Sequence, residues 1–222
     1  MDAIVSLTTW KGRINDRSFH KVLYRLLSQK TKYNYKVVLV LSEEEFGKNY
    51  KLPDALTIMQ ECEKFEILWT YSNTKALKKL DPTMEKYPDI PIITTDDDIL
   101  LKPDGLQMAL DEYKKNPKYI HGSICGTCNG IMRVGGLRIF PPHSLAHIDN
   151  KYFRQYFKCL QDDEWNGIRA ALKRTSMKRL RCRPINTINY GNQNVAFSKE
   201  YGKFNFRLAL KKFKKDHPEF FK

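Results

Sequence analysis

Long hydrophobic runs are absent from this chain of 222 residues. No stretch reaches the roughly 18 consecutive apolar residues of a membrane-spanning helix, so we expect no transmembrane segment. The N-terminus carries Asp2 where a secretory signal peptide would carry positive charge, and it leads straight into a predicted strand. We therefore expect a cytoplasmic protein, with peripheral contact at the inner face of the cell membrane left open.

Cysteine is scarce and irregularly spaced. The five cysteines are an odd number, which argues against a disulfide scaffold and favours reduced thiols. Cys125 and Cys128 have the spacing of half a zinc site, but no second pair accompanies them. We interpret them as two ordinary thiols. The histidines are scattered, and none of them is singled out as a metal ligand.

Internal repeats and low-complexity linkers are lacking as well, so we predict a single domain. A content of 41% hydrophobic and 12% aromatic residues excludes a disordered chain. Acidic residues are too few to balance the basic ones, and 39 Lys and Arg against 25 Asp and Glu leave a net charge of +14. This excess favours an anionic partner, whether nucleic acid, a phosphorylated substrate or an anionic membrane, and does not choose among them.

Strand-like and helix-like patterns alternate through the first half of the chain. Short β-branched runs predict strands, and apolar residues at helical spacing predict the helices between them. The predicted strands are residues 3–8, 35–41, 65–70 and 90–95, and the predicted helices are residues 18–29, 54–61, 75–86 and 103–115. This order predicts an α/β fold with a mostly parallel central sheet and helices on both faces.

The second half is less regular. We predict a strand at residues 119–124, a glycine-rich loop at 125–136, a short strand at 137–140 and helices at 152–160 and 164–173. A basic amphipathic helix is predicted at residues 199–215. Its apolar stripe is compatible with an anionic membrane surface, and equally with packing on the sheet while its lysines stay solvated.

Three consecutive aspartates, Asp96, Asp97 and Asp98, follow the most apolar predicted strand. Ligands of open α/β sheets gather at the carboxyl ends of strands, and three carboxylates placed there repel one another unless a cation neutralises them. Such hard oxygen ligands suit Mg²⁺ or Mn²⁺, completed by substrate phosphates. In an extended segment Asp96 and Asp98 share one face and Asp97 points away. A solvated turn with helix-capping aspartates is the alternative interpretation.

This arrangement resembles the nucleotide-sugar glycosyltransferases of the GT-A fold, in which an Asp-x-Asp motif at this strand end holds a divalent cation bridging the donor's two phosphates. The similarity extends to bacterial transferases that build surface polysaccharide, such as capsule or lipooligosaccharide, and covers the chain to about residue 200. It is carried by the triplet and by residues 5–10, 69–75, 135–136, 140–142 and 162–165.

The resemblance implies a set of donor-binding residues. Thr8 and Thr9 would lie near the base and ribose, while Arg13 and Lys75 would reach phosphate. Asp96 would contact ribose or a metal-bound water, Asp97 would orient the sugar, and Asp96 and Asp98 would be the metal residues. Gly135 and Gly136 would line the sugar pocket. Ordinary surface cations and tight turns explain the basic residues and the glycines about as well.

Asp162 and Asp163, followed by Glu164 and Trp165, form a second acidic cluster. Sugar transfer with inversion needs a general base to deprotonate the acceptor hydroxyl, and the resemblance implies an acidic residue of this region in that role. We favour Asp163 over Asp162. Capping of the following helix is the alternative explanation.

These observations predict a glycosyltransferase dependent on Mn²⁺ or Mg²⁺, with a nucleoside-diphosphate sugar as donor and a hydroxyl of a glycan or lipid-linked glycan as acceptor. Residues 1–115 would bind the nucleotide sugar, residues 116–198 would supply acceptor and catalytic groups, and residues 199–222 would form the basic helix and tail. One alternative is a sugar nucleotidyltransferase, although only one glycine, Gly12, follows the first strand closely. Another is a basic nucleic-acid-binding module, for which no motif is present and which we do not expect.

Overall fold

The computed structural model describes residues 1–128, 130–191 and 204–221. Its strands are β1 (Ala3–Thr8), β2 (Tyr35–Ser42), β3 (Phe65–Thr70), β4 (Ile92–Thr94), β5 (Leu100–Leu101), β6 (Ile120–Cys128), β7 (Ile131–Phe140), β8 (Met177–Arg179) and β9 (Ile185–Thr187). Its α-helices are α1 (Arg17–Leu27), α2 (Glu43–Phe46), α3 (Asp54–Met59), α4 (Asp81–Lys86), α5 (Gly105–Tyr113), α6 (Asn150–Phe157), α7 (Asp162–Lys173) and α8 (Phe206–Asp216). Short 3₁₀ helices lie at Lys75–Lys79 and Pro218–Phe221.

Seven strands form one sheet in the order β3-β2-β1-β4-β7-β6-β8, and β5 pairs with β9 separately. Strands β1 to β4 run parallel, β7 is antiparallel to β4 and β6, and β8 is parallel to β6. The chain order reverses between β1 and β4, because β2 and β3 lie on one side of β1 and the later strands lie on the other. Such a switch point leaves a crevice at the carboxyl ends of the strands. The predicted mostly parallel sheet is confirmed.

Helices cover both faces of this sheet. In β2, Val37, Leu39 and Leu41 pack into one hydrophobic cluster, while the alternating Val38 and Val40 pack into another. The first cluster takes up the apolar faces of α1 and α5, and the second includes Ala170 of α7 with Met84 of α4 packed against it. A strand that is buried on both faces reads as a continuous apolar run, which is why β2 was predictable from its composition.

The predicted loop at residues 125–136 is wrong. These residues belong to a β-hairpin in which Cys125 pairs with Val134 and Thr127 with Met132, and the predicted short strand at 137–140 is only the end of β7. Glycine is depleted in strands and contributes no side chain to the alternating pattern, so the sequence pattern here resembled a loop. The strand is nevertheless stabilised by its ladder to β4 on the other side.

Two predicted helices differ in extent. The helix predicted at residues 75–86 divides into the 3₁₀ helix Lys75–Lys79 and α4, with Pro82 near the start of α4, where a proline is tolerated. The C-terminal helix begins at Phe206, and residues 199–203 of the prediction lie outside the described residues.

The apolar stripe of α8 packs within the protein. Phe206, Leu210 and Phe213 are buried in a cluster with aromatic residues of α6 and α7, whereas Leu208 is exposed. The stripe therefore matches the packed alternative, and any membrane contact would depend on the basic surface of the helix. Among the described helices, none combines the length and hydrophobicity needed to cross a membrane.

Candidate active site

Two adjoining cavities lie at the switch point between β1 and β4. The strand-end cavity has a volume of about 380 Å³, and the hairpin cavity beside it has a volume of about 250 Å³. Every residue predicted for the site lines one of them. The strand-end cavity is lined by Thr8, Thr9, Arg13, Lys75, Asp96, Asp97, Asp98, Asp162 and Asp163, and the hairpin cavity by Gly135 and Gly136 together with Asp96, Asp98 and Asp163.

The aspartate triplet forms a turn, in which the Ile99 amide donates to the Asp96 carbonyl at 3.2 Å. The backbone is therefore not extended, and the expectation that Asp97 points away from the face shared by Asp96 and Asp98 is wrong, because all three side chains line the strand-end cavity. Asp97 accepts a hydrogen bond from the Thr9 hydroxyl at 2.6 Å and pairs with Arg13. Arg13 also lies 3.5 Å from Asp98. Burial raises the pKa of Asp97 to about 6, although Arg13 and Thr9 act in the opposite direction.

Asp96 is held by two buried cations that sequence reasoning missed. Lys79 Nζ lies 2.5 Å from Asp96 Oδ1, and Arg138 Nη2 lies 3.3 Å from Oδ2. The side chains of Lys79 and Arg138 are only 3% and 4% exposed. Burial alone would raise the pKa of Asp96, but Arg138 and Lys79 outweigh it and hold the pKa well below its usual value.

The same two cations contact the second acidic cluster, at the start of α7. Arg138 Nε lies 2.6 Å from Asp163 Oδ1, and Lys79 Nζ lies 3.1 Å from Asp162 Oδ2. The five side chains therefore form one network with three carboxylates and two cations. Burial raises the pKa of Asp163 to about 7, since Arg138 only partly offsets it while Asp162 and Asp96 add to it.

The hairpin makes room for Asp163. A Cβ atom at Gly135 would lie 2.8 Å from Asp163 Oδ2, closer than real Cβ contacts allow. The next residue, Gly136, has φ +70°, in the left-handed region that disfavours other residues. The glycines thus permit a close approach between β7 and the start of α7. The other two residues of the cluster face elsewhere, Glu164 toward Arg133 and Trp165 into the core.

A further buried cation lies on the other side of the strand-end cavity. Lys78 donates to Glu45 at 2.7 Å and to the side chain of Asn73 at 3.2 Å. Burial lowers the pKa of Lys78, although Glu45 acts in the opposite direction. Lys75, predicted to open a helix, is the first residue of a 3₁₀ helix and has φ +54°. The Thr8 hydroxyl donates to the Val40 carbonyl at 2.7 Å and so ties the end of β1 to β2.

Comparison with known proteins finds similarity in structure alone. No protein-family model matches the sequence, and no curated protein matches it. A structure of residues 1–349 of TarS from S. aureus, in complex with UDP-GlcNAc, matches with a TM-score of 0.55 and 12% identity over 89% of this chain and 62% of that chain. The mannosyltransferase PcManGT from Pyrobaculum calidifontis, in complex with GDP-Man and Mn²⁺, matches with a TM-score of 0.52 and 13% identity over 80% of this chain and 54% of that chain. The chain has the GT-A fold.

At these low identities, the likeness to GT-A enzymes shows the fold and not the function. A 4-diphosphocytidyl-2C-methyl-D-erythritol synthase also matches, with a TM-score of 0.51 and 10% identity over 94% of this chain and 99% of that chain. The chain spans 59% of the length of one TarS 1–349 structure and 62% of another. Function must therefore be argued from the residues in the two cavities.

Few side chains in this site could bind a metal ion directly. Within residues 1–128, 130–191 and 204–221, no three His, Cys, Asp or Glu side chains are placed to hold a metal ion. Both oxygens of Asp96 already face Lys79 and Arg138. Asp98 lies 3.5 Å from Arg13 and lines both cavities, with 18% of its side chain exposed. Mg²⁺ sites often use one or two carboxylates and take further oxygens from substrate phosphates. The residues present fit a cation of that kind, with Asp98 as the protein ligand.

Proposed function

We propose that the chain is a glycosyltransferase that moves a sugar, of the hexosyl type, from a nucleoside-diphosphate sugar to a hydroxyl of a glycan acceptor in bacterial surface-polysaccharide synthesis. One observation carries the proposal. The GT-A switch point brings the aspartate triplet, several buried cations and a carboxylate of raised pKa, Asp163, into two adjoining cavities. A diphosphate and an acceptor hydroxyl require these groups, positioned on fixed elements.

The strand-end cavity would take the nucleotide. Arg13 and Lys75 line it and supply positive charge for the donor's phosphates. Thr9 and Arg13 hold Asp97 in place, so that its carboxylate would face the ribose or the sugar. Asp98 would hold a divalent cation together with phosphate oxygens of the donor. When bound, that cation would neutralise charge on the leaving diphosphate.

Asp163 would act as the general base. It lies in both cavities, at the place where a donor sugar and an acceptor would meet. A base works best when its pKa is close to the working pH, and the pKa of Asp163 is raised to about 7. Arg138 orients this carboxylate through its Nε at 2.6 Å. Asp162 is the weaker candidate because it pairs with Lys79 at 3.1 Å and lines the strand-end cavity but not the hairpin cavity.

The sugar nucleotidyltransferase alternative keeps some support, since the 4-diphosphocytidyl-2C-methyl-D-erythritol synthase among the structural neighbours represents this class of enzyme. The segment after β1 distinguishes the two. A nucleotidyltransferase would be expected to carry a glycine-rich phosphate loop there. In this segment Gly12 is the one glycine, and Arg13 pairs with Asp97 of the aspartate triplet. The transferase is therefore the better supported function.

A thermal-shift screen tests the donor. Purified protein is heated with nucleoside diphosphates, sugar nucleotides and, for comparison, nucleic acid, each with Mn²⁺ and with EDTA. A ligand at about 100 times its dissociation constant adds roughly 2.7 kcal/mol of stability. We expect one nucleotide class to stabilise the protein and Mn²⁺ to strengthen that effect, whereas Mn²⁺ alone should do little because Asp98 is its main protein ligand. Stabilisation by nucleic acid that survives EDTA, with none by nucleotides, would contradict the proposal.

The base is tested with Asp163→Asn, using Asp104→Asn as a control at an exposed aspartate outside both cavities. Loss of a general base typically lowers turnover by about 100- to 10,000-fold. We expect Asp163→Asn to reduce turnover of the donor identified in the screen, measured as released nucleoside diphosphate, with nearly normal donor binding. Loss of donor binding with unchanged turnover would remove Asp163 from this role.

A further inference from the structure

A third cavity, the arginine groove, continues the site away from the nucleotide end. It has a volume of about 810 Å³ and is lined by the segment from β8 to β9 together with Ser123 and Ile124 of the hairpin. Ile124 and Ile188 line both this groove and the hairpin cavity, which in turn contains Asp163. The groove therefore adjoins the hairpin cavity at Ile124 and Ile188, and the hairpin cavity shares Asp96, Asp98 and Asp163 with the strand-end cavity.

Three arginines dominate this groove. Arg179, Arg181 and Arg183 line it and are exposed, while Leu180 between them is buried and anchors the segment in the core. Within the part of the chain that the structure describes, none of the three forms an ion pair. Their guanidinium groups can therefore bind an external anion without breaking an internal pair.

The backbone that presents these arginines is held in place. The carboxylate of Glu112 accepts the amide of Arg181 at 2.6 Å and the amide of Cys182 at 2.8 Å. The Lys102 amide donates to the Pro184 carbonyl at 2.9 Å, and β9 then pairs with β5, directly after the aspartate triplet. The groove is thus fixed to the same strands and helices as the candidate active site, so its distance from Asp163 is set by the fold.

We infer that the arginine groove binds an acceptor that carries anionic groups, phosphate or carboxylate, along its chain. This inference rests on the proposed function, because it assigns the acceptor of the same site. Guanidinium groups match phosphate and carboxylate geometry, and the exposed faces of Ile124 and Ile188 offer apolar contact to sugar rings between the arginines and Asp163. An acceptor hydroxyl in the hairpin cavity would then lie beside Asp163 while the rest of the chain lies along the groove.

The inference is tested by direct binding. Fluorescently labelled oligomers of glycerol phosphate, galacturonate and neutral glucose, matched in length, are titrated against the full chain. We expect the anionic oligomers to bind more tightly than the neutral one, and the first two to show whether phosphate or carboxylate is preferred. In Arg179→Gln/Arg181→Gln/Arg183→Gln, each lost charge-assisted contact should weaken binding by about tenfold.

A matched control removes the same charge elsewhere. Arg207, Lys211 and Lys215 are exposed on α8, and their triple glutamine variant should change binding by no more than about twofold at moderate salt. Equal losses in the two triple variants would reduce the effect to overall charge and overturn the inference. The absence of any preference for anionic over neutral oligomers would do the same.

Two further arms separate the alternatives. Vesicles containing phosphatidylglycerol are sedimented with the protein. Vesicle binding that is lost in the groove variant, without any oligomer binding, would show that the groove binds a membrane surface and would overturn the inference. The nucleotide thermal shift is measured in the groove variant as well. A normal nucleotide shift with unchanged oligomer binding rejects the groove alone, whereas no nucleotide shift in the unaltered chain rejects the proposed function itself.

Discussion

The cations of the strand-end cavity and those of the arginine groove differ in burial and pairing. Arg13, Lys79 and Arg138 are buried, and each lies within ion-pair distance of a carboxylate. Arg179 and Arg183 are exposed and form no ion pair among the described residues. Buried charges are costly to leave alone, so the carboxylates fix the first group in place within the site, whereas the second group has no such partner among the described residues. Net charge by itself does not reveal this division.

The largest expected effect concerns the buried cations of the strand-end cavity. Arg138→Ala would leave Asp96 and Asp163 without their shared cation, and breaking a buried pair in this way costs about 3–5 kcal/mol. Urea denaturation measures the free energy of unfolding. Arg138→Lys is the matched control, since it keeps the charge but loses the planar fork, and we expect a smaller loss. A loss below about 1 kcal/mol in Arg138→Ala would show that the network does not depend on this residue.

The pH dependence of stability tests the raised pKa of Asp163. Its folded-state pKa is about 7 against an ordinary value of 3.8, so the native state binds more protons than the unfolded state between those values. The contribution is present at low pH and is lost as the pH rises through about 7. We expect the chain to lose on the order of 1–2 kcal/mol more than Asp163→Asn between about pH 5.5 and about pH 8.

The comparison of unaltered chain and variant isolates this group from other titrations. Urea unfolding of both proteins at several pH values provides the measurement. Asp97, whose pKa is raised to about 6, titrates in both proteins and cancels in the comparison, and carboxylates with lowered pKa, such as Asp96, stay ionised throughout this range. Parallel stability curves for the two proteins would mean that Asp163 titrates near its ordinary value. The pH dependence of turnover should show the complementary behaviour and rise toward about pH 7 as the base ionises.

A smaller structural effect is expected at the hairpin. Gly135→Ala places a Cβ 2.8 Å from Asp163 Oδ2, so the carboxylate must move. We expect a stability loss of about 1 kcal/mol, and turnover lower by about 100-fold because misplacement by about 1 Å is enough for such a loss. Gly126→Ala is the control, since its nearest neighbour would be Arg133 Nε at 3.8 Å, an ordinary contact. Equal turnover of the two variants would contradict the close approach.

The smallest expected effect concerns the exposed arginines of the arginine groove. Replacing Arg179, Arg181 and Arg183 by glutamine should change the free energy of unfolding by no more than about 0.5 kcal/mol per residue, as for surface positions in general. Thermal or urea unfolding provides the measurement. A loss as large as that of Arg138→Ala would show that these arginines support the fold, and the contrast between the two groups would disappear.

Sequence patterns were sufficient for the parallel half of the sheet and for selecting residues that lie together at one edge of it. Strands β1, β2 and β3 match their predictions within one residue. β1 and β2 are buried on both faces and are therefore written as apolar runs, whereas the edge strand β3 is rich in the aromatic and β-branched residues that favour strands. The triplet at the end of β4 was likewise visible, since the carboxyl ends of parallel strands share one edge. The antiparallel hairpin was missed because glycines removed the alternation on which strand prediction depends.

The sequence by itself therefore determined the alternating strands and helices of the first half, the excess of positive charge and the position of the aspartate triplet after β4. Only the tertiary structure decided which charges meet. Lys79 and Arg138 look like ordinary basic residues in a helix and a strand, although Arg138 stands between apolar neighbours in β7. They reach Asp96 and Asp163 from distant parts of the chain. Pairing of this kind depends on distances in space, which local periodicity does not encode. It also separates these cations from Arg179, Arg181 and Arg183, which form no ion pair within the part of the chain that the structure describes.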